Sequence, residues 1–277
     1  MSTRLSPLSV LFVLVALCGA GATMAFADAA GQRATQADGL VVGVDYVVPP
    51  FVAGAKVRTP EAIDTTLAEQ VAERMHVKLA TVLAASTGRT DSEQPSKTGT
   101  ANFVLAAVPL AAGNAGTAST VTIPTGYTAA PMAIMRSDTD IKTWEQLKGR
   151  IVCLSQGSRY IGMAAARYGA VEKIFGAPAD SLLALRTGRC DATVHDDTML
   201  NELLKFPEWK KYSAQLPAGP RVSLAFVVPA ADSVTASLVK QMASQWKASR
   251  YLAGLTKTRA RDIAFEVYLD QNVPDCH

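Results

Sequence analysis

The chain has 277 residues, 49% of them hydrophobic and 18% charged, and its net charge is +3 at neutral pH. That length fits one large or two medium domains, and the absence of low-complexity runs and heptads speaks against a disordered chain or a coiled coil. So small an excess of unclustered Lys and Arg argues against a nucleic-acid partner, because a phosphate-binding face needs grouped cations.

Met1–Ala27 has the makeup of a secretory signal. Arg4 supplies the positive start, Leu8–Leu17 is apolar apart from Ser9, and Ala25-Phe26-Ala27 ends it with an A-x-A cleavage pattern. Leu17 is too bulky before Cys18 for lipoprotein processing. The exported chain is expected to begin at Asp28, with 26 basic against 24 acidic residues once Arg4 is gone, a net of +2. No later stretch is apolar enough to cross a bilayer, so a soluble product is expected. Cys153, Cys190 and Cys276 remain; in an oxidising compartment two pair and one is left over.

Asp28–Asp38 is a polar leader. Leu40–Val44 reads as a buried strand running into Asp45-Tyr46 and a Pro49-Pro50-Phe51 turn. Ile63, Leu67, Val71 and Met75 recur every four residues and predict an amphipathic helix. His76 stands where a helix needs a left-handed stop. Val77–Leu83 and Phe103–Val108 are further strands, separated by a polar loop over 84–100. This β-α-β-loop-β order suits a parallel sheet.

The second half repeats the plan. Thr143-Trp144-Glu145-Gln146 is a capping-box helix start, closed by Gly149. Ile151–Leu154 is a strand, Gln156-Gly157-Ser158 a turn, and Ser158–Tyr168 has helical spacing. Strand, small-residue turn and helix would leave free N–H groups aimed outward at an anion. A strand at Val171–Phe175, a helix near Asp180–Arg186 and a strand at Ala192–His195 follow. Met132–Met135 and Val222–Val228 are placed as strands beside two crossings between halves. Val234, Leu238, Met242 and Trp246 mark a late helix, and the tail is expected to return to the first lobe.

Five stretches in order resemble one family: 40–51, 63–79, 141–158, 182–197 and the final strand–helix segment. The chain is similar to the extracellular solute-binding proteins of family 3, which serve polar amino-acid ABC importers. The resemblance implies an α/β chain with a two-lobed, type II periplasmic-binding fold. Each lobe is then a mainly parallel sheet flanked by helices, joined by a two-strand hinge. Lobe I would take 28–130 and 225–277, and lobe II 131–224. It further implies a periplasmic monomer without metal, cofactor or catalytic residues. Its partners would be a small polar solute, held in the cleft, and the membrane permease of an ABC importer.

Carried over by motif, Asp196 would hold a ligand ammonium at the C-terminal end of its strand, with Asp197 capping the next helix. In the plainer alternative either acid is only a cap. Alternation turns His195 away from Asp196, toward a structural or rim position. Ser158 matches the carboxylate-binding turn, with Gln156 nearby. Arg159 departs from the pattern, as either a bidentate anion clamp or a surface side chain. Asp45 and Tyr46 would line the first lobe, although Val48 stands where the family has its aromatic. The family's lobe I Arg is missing from Ala106–Thr117. Arg89 is a candidate replacement or a plain exposed Arg, and Tyr127 lines the cleft or packs behind it. In this fold the strands bearing Cys153 and Cys190 are neighbours, so that pair is favoured over Cys190–Cys276.

Two other readings stay open at this point. The same scaffold hosts periplasmic enzymes of the cyclohexadienyl-dehydratase kind, for which His195 with Asp196 or Asp197 is the nearest acid–base pair. A sensory or partner-binding module with a degenerate cleft is the other.

Overall fold

A computed structural model describes residues 39–50, 52–84, 101–110, 117 and 119–271. The expected signal segment, Phe51, Arg89, the 111–116 run and Cys276 lie outside the described residues. The elements in chain order are β1 (Leu40–Val44), α1 (Asp64–Met75), β2 (Leu79–Leu83), β3 (Phe103–Pro109), β4 (Thr120–Ala129) and β5 (Pro131–Met135). After a 3-10 turn at Trp144–Leu147 come β6 (Ile151–Ser155), α2 (Met163–Tyr168), β7 (Val171–Phe175), α3 (Pro178–Arg186), β8 (Ala192–Asp196) and α4 (Asp197–Leu203). A second 3-10 turn at Pro207–Tyr212 leads to β9 (Ala214–Gln215), β10 (Val222–Pro229), α5 (Ser233–Ser249) and α6 (Tyr251–Asp270).

Two five-stranded sheets result, ordered β2-β1-β3-β10-β4 and β7-β6-β8-β5-β9. Parallel pairing joins β1 to β2 and β3, and likewise β6 to β7 and β8; the strands next to the crossings pair antiparallel. The first lobe buries Val42 and Val44 of β1 with Leu67 and Val71 of α1, Phe103, Phe226 and Trp246. Phe103 meets Phe226 edge-on at 5.5 Å between ring centres, a favourable aromatic geometry. The four-residue spacing read from the sequence is thus the packed face of α1. His76 ends that helix at φ 57, its N–H on the Glu73 carbonyl.

Two local expectations are corrected. The helix after the Gln156-Gly157-Ser158 turn begins at Met163, not Ser158, and is one and a half turns long. Its N-terminal N–H groups do not await an anion: the Glu172 carboxylate of β7 accepts from Gly162 at 2.7 Å, Ala164 at 2.9 Å and Ala165 at 3.1 Å. The tail also differs, for α6 buries Ala260, Ile263, Ala264 and Val267 among Leu182, Leu185, Leu200 and Leu203 of the second lobe. From Ala260 on, α6 therefore packs on α3 and α4, while Tyr251, Leu252 and Leu255 at its start, like α5, stay with the first lobe. An alternation of small and branched apolar residues on α6 fits the tight helix–helix contact.

The crossings run through Ala130 and through 216–221. Asp197 ties both down. Its carboxylate accepts from the Ala130 N–H at 2.9 Å and bonds the Arg221 guanidinium, and its own N–H donates to the Ala130 carbonyl at 2.9 Å. Asp196, not Asp197, holds the N-cap position of α4 and makes no side-chain cap there, while the Asp197 carboxylate serves the hinge instead of the expected capping role. Cys153 and Cys190 are disulfide-bonded between β6 and the turn before β8.

Candidate functional site

The C-terminal ends of β1, β6 and β8 converge on the line between lobes, where open α/β sheets gather ligands. Asp196 closes β8 and is 8% exposed. Its carboxylate accepts from the Tyr160 hydroxyl at 2.6 Å on one oxygen and the Tyr127 hydroxyl at 2.7 Å on the other. Tyr127 comes from β4 of the first lobe, so this bond spans the cleft. Burial, and then the Asp196 charge, push both phenols far above their usual value, which keeps them as donors. The Tyr127 oxygen is also 2.9 Å from Thr198.

Arg159 lies beside this group with its Nε 3.9 Å from Asp196. The side chain is mostly buried, and its Nη1 has no hydrogen-bond partner among the described residues. Burial alone would lower its basicity; Asp196, the two tyrosines and Asp45 outweigh that and hold it charged. Asp45 sits at the rim with its carboxyl raised by desolvation against the opposing pull of Arg159. Asp64, 2% exposed, accepts from the Asp45 N–H at 2.9 Å, and burial raises its carboxyl as well.

A second bridge crosses at the ends of β1 and β6. The Tyr46 hydroxyl donates to Gln156 Oε1 at 3.1 Å, and the Tyr46 ring lies over Gly157, where an added Cβ would come within 2.8 Å of it. Gly157 has φ +80, a second reason for glycine there. Ser158 turns inward: it is buried, and its hydroxyl accepts from the Tyr160 N–H at 3.3 Å. Tyr127, Arg159 and Asp196 are thus brought together, with Asp45 at the rim and Tyr46 and Gln156 beside them.

His195 faces the other way, as strand alternation requires, into a polar cluster. Nδ1 is 2.8 Å from Glu61, and Nε2 is 2.8 Å from Ser181 and 2.9 Å from Thr193. Glu61 precedes α1 of the first lobe, so this pair also joins the lobes. Sequence reasoning missed Glu61, Asp64 and Tyr160. Glu61 and Asp64 are lone acids in and after a Pro-containing connection, and nothing local marks them. Tyr160 looked like a helix residue because the turn ends later than its spacing suggests.

Between Glu61, Tyr127, Asp196, Met199, Thr256 and Arg259 the remaining cavity is about 10 Å³, room for one water. Among the described residues, no larger space adjoins Asp196 while the Tyr127 bond is made. Among the described residues no helix is long and apolar enough to cross a membrane, and no cluster of side chains suits a metal.

No family model matches the chain, and no curated protein matches it. Among solved structures, a mutant of ArgBP from T. maritima aligns over 78% of this chain and 92% of its own, at 19% identity and a TM-score of 0.50. The two-lobed periplasmic-binding fold is shared. An arginine 3rd transport system periplasmic binding protein from Legionella pneumophila aligns over 80% of this chain and 97% of its own, at 16% identity and TM-score 0.44. The GluR0 ligand-binding core in complex with L-glutamate aligns over 82% and 100%, at 16% identity and TM-score 0.48. At these identities the likeness is one of fold.

Proposed function

We propose that the chain is the periplasmic solute-binding component of an ABC importer, holding a small polar solute between its lobes. The solute class is an amino acid or a related amine or organic acid, delivered to a membrane permease; Met1–Ala27 exports the chain. One observation carries this reading: a buried carboxylate and a buried guanidinium, Asp196 and Arg159, stand together at the strand ends, bridged to the opposite lobe by a tyrosine that can let go. When the lobes part, Tyr127 leaves Asp196, an ammonium takes its place, and a solute carboxylate meets Arg159 Nη1. Closure then desolvates both contacts, which strengthens them. The solved neighbours include an arginine transport protein and a core complexed with L-glutamate, in keeping with such a solute.

A binding role is favoured over catalysis by the surroundings of His195. Ser181, His195 and Glu61 line up like a nucleophile, base and acid, but Ser181 is 0% exposed and its hydroxyl donates to the Pro178 carbonyl at 2.9 Å. No substrate carbonyl has a path to it.

Titration calorimetry with a panel of amino acids, polyamines and organic acids tests the reading. At least one solute should bind at 1:1, and Asp196→Asn should weaken an ammonium-bearing solute about 10- to 100-fold, the worth of a charged hydrogen bond. No heat from any member of the panel, or unchanged affinity in the variant, would contradict it.

A further inference from the structure

The two carboxylate oxygens of Asp196 have different neighbours. Oδ1 accepts from the Tyr160 hydroxyl at 2.6 Å and has Arg159 Nε 3.9 Å away. Oδ2 accepts from the Tyr127 hydroxyl at 2.7 Å. Tyr160 is 6% exposed and packs with Leu154, Ala164 and Val194, in the same lobe as Asp196. Tyr127 belongs to the buried cluster of the opposite lobe, with Val44, Phe103 and Leu224. Parting the lobes therefore takes the Tyr127 hydroxyl away and leaves that of Tyr160 in place.

The position that Tyr127 gives up has a definite geometry. Its hydroxyl oxygen lies 2.7 Å from Asp196 Oδ2 and 2.9 Å from Thr198 Oγ1, so both of these oxygens face one point. The Thr198 hydroxyl rotates, and accepts as readily as it donates. An ammonium nitrogen at that point reaches both oxygens with two of its three N–H groups. A guanidinium binds otherwise: it is planar, and its strength lies in two parallel bonds to both oxygens of one carboxylate. Here the second oxygen already holds a hydroxyl, and the Arg159 guanidinium beside it carries the same charge as the incoming group.

We propose that Thr198 and Tyr160 set which cationic group the cleft accepts, selecting a primary ammonium over a guanidinium at Asp196. The inference rests on the solute-binding reading and adds to it the head group of the solute and the two residues that choose it. Thr198 touches the ammonium as its second acceptor. Tyr160 is a positioning residue, which acts through Asp196 by occupying one of its oxygens. Arg159 sharpens the choice by repelling a second cationic nitrogen at Oδ1, while its Nη1, which has no partner among the described residues, stays free for the anionic end of the solute.

Calorimetry on the intact protein tests the selection, with the amino acids of the panel set against the same acids guanidinylated on the α-nitrogen. Glycine against guanidinoacetate is the simplest pair. Each amine that binds should do so about 10-fold or more tighter than its guanidino counterpart. Tyr160→Phe should free Oδ1 and narrow that ratio to about threefold or less, and Thr198→Val should weaken the amines about 3- to 30-fold with little effect on the guanidino acids. General structural damage would weaken both members of a pair alike, so the ratio reads the selection itself. If Tyr160→Phe does not fold, the unsubstituted protein and Thr198→Val decide. Guanidino acids bound as tightly as the amines, or a ratio unchanged in either folded variant, would overturn the selection while leaving the binding role intact; a protein that binds no member of the panel would overturn both.

Discussion

At the scale of single residues, the cleft is held by contacts that leave no slack. Gly157 combines φ +80 with a Tyr46 ring 2.8 Å from where a Cβ would be. Gly157→Ala should lower stability by about 1–3 kcal/mol, from backbone strain and displacement of the ring, measured by denaturant unfolding; an unchanged midpoint would show that the turn relaxes freely. Asp196 was singled out by the family motif and by its place at the C-terminal end of its strand, and it stands between the Tyr127 and Tyr160 hydroxyls. Strand alternation correctly turned His195 away. Glu61 was not legible, since its partners Ser155 and His195 are 94 and 134 residues away. Arg159 was noticed as a departure, yet only the packing shows it beside Asp196 rather than on the surface.

At the scale of elements, hydrophobic period served well, and so did the capping signals at Thr143 with Gln146 and at His76, whereas the turn after β6 misled. α1, β1 and β3 fall within a residue or two of their sequence bounds because their apolar stripes are the buried faces. β4 carried no such stripe: Pro124 and Gly126 interrupt it, and its pairing with β10 supplies what its sequence lacks. The turn after β6 misled because a distant carboxylate, Glu172, satisfies the N–H groups that local reading left free. The disulfide belongs to this scale as well. It joins positions 37 apart, and closing a loop of that size constrains the unfolded chain by about 4 kcal/mol. Replacing Cys153 and Cys190 together by Ala should cost about 2–4 kcal/mol in denaturant unfolding; no loss would mean that the cross-link leaves stability untouched.

For the whole molecule, the order of sheets and crossings was readable from five stretches in sequence, whereas the docking of α6 was not. Residues 251–270 carry polar and apolar side chains all round, so no stripe announced which lobe they cover. Packing on α3 and α4 brings Arg259, Glu266 and Asp270 against the segment before Glu61, and thus straps the C-terminal helix to the line where the lobes meet. Asp197 holds the crossing at Ala130 and Arg221 at the end of the other. Hinge, strap and cleft are therefore built by residues far apart in the chain. Hydrogen–deuterium exchange with and without a solute found in the binding panel tests most directly that the lobes clamp it. Protection should appear together in segments around 45–46 and 127–130 of the first lobe and 155–160 and 195–197 of the second; protection on one lobe alone, or elsewhere, would contradict the account.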